Sequence, residues 1–217
     1  MKNIFVVTHT QSVHHVENKV GGWYDTELTP KGRADAEATA ARLVALIDSA
    51  SIEIFSSDLL RASQTAAILA EHLKRPFETT PDLREISYGS AGGMPQEWLD
   101  ARQIPAPEHN RMDHRGGIAD GETRREVAER VYRSVNTIIS RPCPTQVIVT
   151  HGFALTFVIA AWIKMPIESV GYASFPARSG CITHLRQDDY WQSRSVVALA
   201  DVSHLKASCG SSAKASA

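Results

Sequence analysis

Two stretches constrain this chain more than anything else in it. KNIFVVTHTQ, close to the first residue, and TQVIVTHGFA, in the second half, are apolar β-branched runs of strand length, and both stop at a Thr-His pair before a new segment begins. Such runs, apolar without alternation, belong to strands buried on both faces, as in a parallel sheet covered by helices.

The segments between them carry the helical period. Thr29-Pro30-Lys31-Gly32 supplies a capping Thr with Pro at the first helical position, and Ala36, Ala40, Leu43, Val44 and Ile47 form one stripe of a helix expected to end near Asp48. Ile52 to Phe55 is expected to be a short strand. Asp58 is expected to cap the next helix, with Ala62, Ala66, Leu69 and Leu73 facing the core and Pro76 stopping it. A further helix is expected near 122–140, then the strand QVIVT and the apolar helix FALTFVIAAWIK; CITHLR and SRSVVAL flank a turn and predict a hairpin or two edge strands. Alternation of this kind predicts an α/β fold, a three-layer α/β/α sandwich around a mostly parallel sheet. Residues 1–205 are expected to form a single domain, with a Gly-, Pro-, His- and Arg-rich lid or substrate segment at about 86–120 and a disordered tail at 206–217.

Composition narrows the function classes. A formal net charge of -1 with 22% charged residues gives no attraction to nucleic acid or an anionic membrane surface, and no window approaches the roughly 20 apolar residues needed to span a bilayer. The N-terminal segment has one Lys and a short apolar run followed directly by polar sequence, which is not a secretory signal, so a cytoplasmic location is expected. Cys143, Cys181 and Cys209 are too few and too scattered for a disulfide framework or a zinc site.

In a parallel sheet ligands sit at the C-terminal ends of the strands. His9 and His151 therefore share one rim, each beside the exposed N–H groups of a following segment, which suits an anion. One such histidine is ordinarily a packed or capping side chain; two at equivalent strand ends are harder to explain that way. Arg61 falls in the first turn of a helix, where a cation opposes the helix dipole unless an anion lies in front of it; an Arg turned into solvent is the plain alternative.

The series VVTHTQSVHHVENKVGGWYDTELTPKG, FSSDLLRASQTA, LREISYG, DGETRREVAERV and VIVTHG resembles the histidine phosphatase superfamily, the phosphoglycerate mutase-like group, from residue 3 to about 152, and ADVSHL resembles the end of many of its phosphatases. The resemblance implies a phosphoric monoester hydrolase acting on a small phosphorylated metabolite through phospho-His9, with Glu85 as proton donor and His151 as second pocket histidine. Arg61, Thr8, Thr10, His15 and Gly152 would bind phosphate or substrate. No metal and no cofactor are expected; a metal set of His9, His14 and His15 matches no usual ligand spacing. A homodimer is left open. Two rivals are an isomerase or lyase using the same acid-base residues, and a phospho-ligand-binding module.

The sequence departs from the family pattern at the nucleophile. Arg-His-Gly is Thr8-His9-Thr10 here, the usual Glu two positions on is Gln11, and an Asn that touches phosphate in relatives corresponds to His15. A missing charge-assisted contact costs about 1.5–3 kcal/mol unless something replaces it. His15, or His14 beside it, is the expected replacement, as an imidazolium whose charge is lost as pH rises. The lid is shorter than in the mutases, which favours a phosphatase, and its Arg102, His109, Arg111, His114 and Arg115 could meet an acidic substrate or simply face water.

Overall fold

A computed structural model describes residues 1–205; the expected tail and Cys209 lie outside them. The elements in chain order are β1 (Lys2–Thr8), α1 (Val13–Val16), α2 (Pro30–Leu46), β2 (Ile52–Ser57), α3 (Leu60–Leu73), β3 (Phe77–Thr80), α4 (Gln96–Asp100), α5 (Arg124–Ser140), β4 (Thr145–Thr150), α6 (Gly152–Trp162), α7 (Ile167–Val170), β5 (Ile182–Gln187) and β6 (Arg194–Asp201). They build one six-stranded sheet in the order β3-β2-β4-β1-β5-β6. The first four strands of that order run parallel, and the hairpin of β5 and β6 closes one edge antiparallel to β1.

Strand alternation sorts the core into two layers. Ile4, Val6, Phe55 and Ile148 face α5 and α6, where Val127, Val131, Val135, Leu155, Phe157 and Trp162 cover them. Phe5, Val7, Ile54, Val147 and Val149 point the other way onto Ala40 and Leu43 of α2 and Ala62, Ala66 and Leu69 of α3. Both faces of β1 and β4 are thus buried, which is why their sequences are apolar without alternation. Among the described residues no helix is long and apolar enough to cross a membrane, and Cys143 and Cys181 are buried free thiols.

Two local expectations are corrected. The helix α2 ends at Leu46 and leaves Val44 in solvent at 49% exposure, since the face covered by the sheet is the narrower stripe Ala36, Ala40, Leu43. Asp58 does not cap α3: the N-cap residue is Leu59, the Leu60 N–H donates to Asp25 Oδ1 at 2.7 Å, and Asp58 instead holds Arg84 through two bonds of 2.7 and 2.6 Å. A charged side chain reached across the chain outcompetes the local cap. The helix α5 falls where it was expected, capped by Thr123 in a reciprocal arrangement with Glu126.

Gly32 explains the end of the LTPKG segment. It sits in the first turn of α2 against the Gln11 carbonyl, and a Cβ there would lie 1.9 Å from that oxygen. The contact seats α2 against the loop that follows His9, together with the bond from Thr29 N–H to the same carbonyl at 3.1 Å. Gly32→Ala is expected to lower stability by about 1–3 kcal/mol through overpacking, measured by urea unfolding; an unchanged midpoint would mean that the loop yields freely.

Candidate active site

The β1 and β4 strands pair with Val7 opposite Val149 and Thr8 opposite Thr150, so the two Val-Thr-His triplets run side by side without offset. The His9 N–H extends the ladder by donating to the Thr150 carbonyl at 2.9 Å. Beyond the last rung the imidazoles of His9 and His151 meet edge to face, ring centres 5.0 Å apart. His9 opens onto a cavity of about 320 Å³ lined also by Thr8, His14, His15, Arg61, Glu85, Gly152 and Arg178, while His151 is fully buried against His9.

The His9 ring is oriented by the Thr10 carbonyl, 2.8 Å from Nδ1. That acceptor requires Nδ1 to carry the hydrogen, which leaves the lone pair on Nε2. Arg61 reaches Nε2 with its Nε–H at 3.2 Å and donates through its two other nitrogens to the carbonyls of Tyr24 (3.0 Å) and Gly22 (2.6 Å). These two carbonyls account for the guanidinium at the start of α3: it is 1% exposed and held by backbone rather than turned to solvent. The GGWYD segment therefore works as a clamp. Gly22 adopts φ +56°, and a Cβ there would lie 2.8 Å from the Ile86 carbonyl. Trp23 Nε1 donates to the Glu85 carbonyl at 2.8 Å and Asp25 caps α3.

Glu85 lies across the N-terminus of α6. Its carboxylate accepts from the N–H groups of Ile86 (3.0 Å), Phe153 (3.0 Å) and Ala154 (3.1 Å). Burial raises its pKa above the ordinary carboxylate range, and those three donors together with Arg61 act in the opposite direction. His151 Nε2 is paired with Ser57 Oγ at 2.8 Å, while its buried Nδ1 has no partner among the described residues. An unpaired buried ring nitrogen is costly.

Other residues stand differently from expectation. Thr10 does not line the cavity: it is fully buried behind the rim, and its contribution is the backbone carbonyl that holds His9. Thr8 borders the cavity, but its hydroxyl donates away from it, to the Arg178 carbonyl at 2.5 Å. Gly152 lies at the first turn of α6 beside Glu85, where a Cβ would still fit at ordinary contact distance. The His15 ring stacks on His9 with centres 5.4 Å apart, and its Nδ1 accepts from the Ser12 N–H at 3.3 Å. Partial burial and the Arg61 charge lower its pKa, which disfavours the imidazolium expected from sequence. His14 is bound to Thr26 Oγ1 at 2.8 Å and pushed down to about 3 by burial, His15 and Arg61. Burial and Arg61 likewise hold His9 and His151 well below the ordinary value.

Sequence reasoning passed over Ser57, Tyr88, Arg178 and Arg130. Arg130 is 8% exposed and joins Glu122 to the carbonyls of Asp82 (3.1 Å), Arg84 (2.6 Å) and Glu85 (2.8 Å), which fixes the Glu85 loop. A signal was present, since Arg130 falls on the buried face of α5 three residues after Val127. The lid segment bounds a second cavity of about 550 Å³ lined by Tyr88, Ile104, Arg111, Arg124 and Phe153 among others; Tyr88 is common to both cavities. Among the described residues no group of His, Cys, Asp or Glu side chains is arranged to hold a metal ion.

Parallel strands ending in paired histidines at the rim of an α/β/α sandwich are the architecture of phosphoglycerate mutase-like proteins. A family model described as the histidine phosphatase superfamily (branch 1) matches residues 4–199, and the chain belongs to that superfamily. It is 28% identical to the probable phosphoglycerate mutase GpmB of Cronobacter sakazakii, over 95% of this chain and 96% of that protein. It is also 28% identical to the glucosyl-3-phosphoglycerate phosphatase of Mycolicibacterium vanbaalenii, over 87% of each. Among solved structures, Bacillus stearothermophilus YhfR superposes with a TM-score of 0.78 at 26% identity, over 95% of this chain and 100% of that one.

The buried imidazoles set a pH dependence of stability. For His14 the folded pKa of about 3 lies below the unfolded value near 6.5. Between the two the unfolded chain binds the extra proton, so stability rises with pH across this window and is lost as pH falls below about 6.5. His14 alone is expected to cost about 2 kcal/mol between pH 6.5 and pH 5. Urea unfolding at these two pH values should show a shallower dependence in His14→Gln; an identical loss in both proteins would refute the assignment.

Proposed function

We propose that the protein is a phosphomonoesterase, needing no metal, that hydrolyses a small phosphorylated metabolite in the cytoplasm through a phosphohistidine on His9. The observation that carries this reading is the bond of His9 Nδ1 to the Thr10 carbonyl, at 2.8 Å, in the cavity shared with Glu85 and Arg61. It leaves Nε2 as the free base and nucleophile.

The phosphoryl group enters between His9 and Arg61, and the guanidinium exchanges the ring nitrogen for a phosphoryl oxygen. The Nε2 lone pair forms the P–N bond as the P–O bond to the leaving group breaks, and protonated Glu85 gives its proton to the departing alkoxide. Glu85, now a carboxylate, takes a proton from water; the water oxygen attacks phosphorus, the P–N bond breaks and its electron pair returns to Nε2. Arg61 and the α6 N-terminus face the charge that builds up on the transferring oxygens, and the buried His151 ring supports His9 edge to face. Because burial raises the Glu85 pKa, its acid form persists above the ordinary carboxylate range, and a bound phosphate raises it further.

The organic part of the substrate extends past Tyr88 into the larger cavity. Arg111 and Arg124 converge there on the Gly171 carbonyl, at 2.8 and 3.3 Å, which favours a leaving group with hydroxyl or acidic substituents. A sugar-acid ester of the kind named for the Mycolicibacterium vanbaalenii relative belongs in a substrate panel on that ground.

Phosphate release from a panel of esters, with acid-labile phosphohistidine trapped on the protein, tests the reading. His9→Ala is expected to abolish both. Glu85→Gln is expected to slow alkyl phosphates by about 10²–10⁴-fold and p-nitrophenyl phosphate much less, because the better leaving group needs no proton. Tight phosphate binding without release from any ester would instead mean a binding module, and neither release nor binding would point to isomerase or lyase chemistry.

A further inference from the structure

The cavity is short of positive charge for the ligand proposed for it. A phosphomonoester near neutral pH is a dianion, yet among the described residues the one buried cation lining the cavity is Arg61, and the carboxyl group of Glu85 stands on the same wall. His15 accepts a backbone N–H at Nδ1, and His9 Nε2 accepts from Arg61, so neither ring is an imidazolium in this arrangement. Lys19 also lines the cavity, but its ammonium is paired with Glu17 at 2.8 Å and lies over the Tyr24 ring.

One cation on the wall has no such commitment. Arg178 is exposed, lines the cavity together with Ala177 and Ser179, and its guanidinium has no ion pair or hydrogen bond among the described residues. Its backbone is held firmly. Thr8 Oγ1 donates to the Arg178 carbonyl at 2.5 Å and accepts from the Cys181 N–H at 3.2 Å. The next two residues are tied to the nucleophile itself: Ser179 Oγ and the Gly180 N–H both donate to the His9 carbonyl, at 3.3 and 3.2 Å. Gly180 takes φ +72°, a left-handed turn that suits glycine, and its Cα approaches Thr10 so closely that a Cβ would sit 3.1 Å from the Thr10 methyl. The 177–181 turn is thus clasped to residues 8–10, and a long cationic side chain is mounted at the mouth of the cavity on a rigid base.

We propose that Arg178 is the second phosphate-binding cation of this site, delivered by the clasp that the Thr8 hydroxyl forms with its backbone. In the free protein the guanidinium stays in water. When a phosphoryl group occupies the cavity it folds inward and forms charge-assisted, forked hydrogen bonds to oxygens that Arg61 does not reach. The ligand chemistry is a tetrahedral oxyanion with charge near -2, whether free phosphate or the ester group of a substrate.

The inference rests on the phosphoryl-binding part of the proposed function and not on turnover, so the two can fail separately. Inorganic phosphate binding to the full chain, followed by isothermal titration calorimetry at neutral pH, is the direct test. Arg178→Ala is expected to weaken binding by about 10–100-fold, with an unfolding midpoint equal to that of the unaltered chain because the side chain is exposed. Arg178→Lys should recover part of the loss, since it keeps the charge but not the fork. Thr8→Val should weaken binding in the same direction, and combining it with Arg178→Ala should add little, because both remove one contact. Phosphate binding within twofold of the unaltered chain in Arg178→Ala would overturn the proposal, as would absence of phosphate binding to the unaltered chain. Arg178-dependent phosphate binding in a protein that releases phosphate from no ester would uphold it while the hydrolase reading falls.

Discussion

The site depends on the in-register parallel pairing of β1 with β4. Because Thr8 lies opposite Thr150, the residues that follow emerge side by side, and the His9 N–H to Thr150 carbonyl bond carries that alignment one residue past the strand. A one-residue slip would turn one imidazole toward the opposite layer, since side chains alternate faces along a strand. The apolar faces of both strands prevent this: Val6 and Ile148 are buried against α5 and α6, while Val7 and Val149 are buried against α2 and α3. Core packing and placement of the two histidines are therefore a single constraint.

Around that pair, backbone groups do most of the positioning. Carbonyls of Thr10, Gly22 and Tyr24 orient His9 and Arg61, and N–H groups of Ile86, Phe153 and Ala154 orient Glu85. Backbone dipoles are rigid, so little reorganisation is needed when charge develops between the three side chains. Trp23 and Arg130 converge on the Glu85 carbonyl from two directions and tie this loop to the GGWYD segment and to α5. The cost is burial of three imidazoles, His9, His14 and His151, beside a guanidinium, an arrangement that acid disfavours.

Much of this was legible in the sequence. Unbroken apolar runs marked the buried strands, Thr29-Pro30 marked the start of α2, and the 3–4 spacing in α3 and α5 marked their core faces. His9, His151, Arg61 and Glu85 were named from strand ends, helix starts and motif resemblance; the structure brings His9, Arg61 and Glu85 to one cavity and sets the buried His151 ring against His9. Asp58 was misread because its local role as a cap competes with Arg84, twenty-six residues away, and only the packed β2 and Glu85 loops decide that contest. Thr10 was misread because a residue beside the nucleophile can serve through its carbonyl while its side chain faces the opposite way.

By itself the sequence determined the layer order, the strands that bear the histidines and the identity of the groups able to accept, donate and transfer a proton, because periodicity and residue chemistry are local properties. Tertiary structure alone decided which ring nitrogens are free, which histidines stay neutral and what the Thr8 hydroxyl holds. Those outcomes depend on burial and on partners from distant segments: Gly22 and Tyr24 retain Arg61, and Thr8 grips a turn 170 residues further along the chain that carries Arg178. No residue spacing encodes those contacts; the Thr8 grip on the Arg178 turn forms only when the β5 edge of the sheet closes against β1.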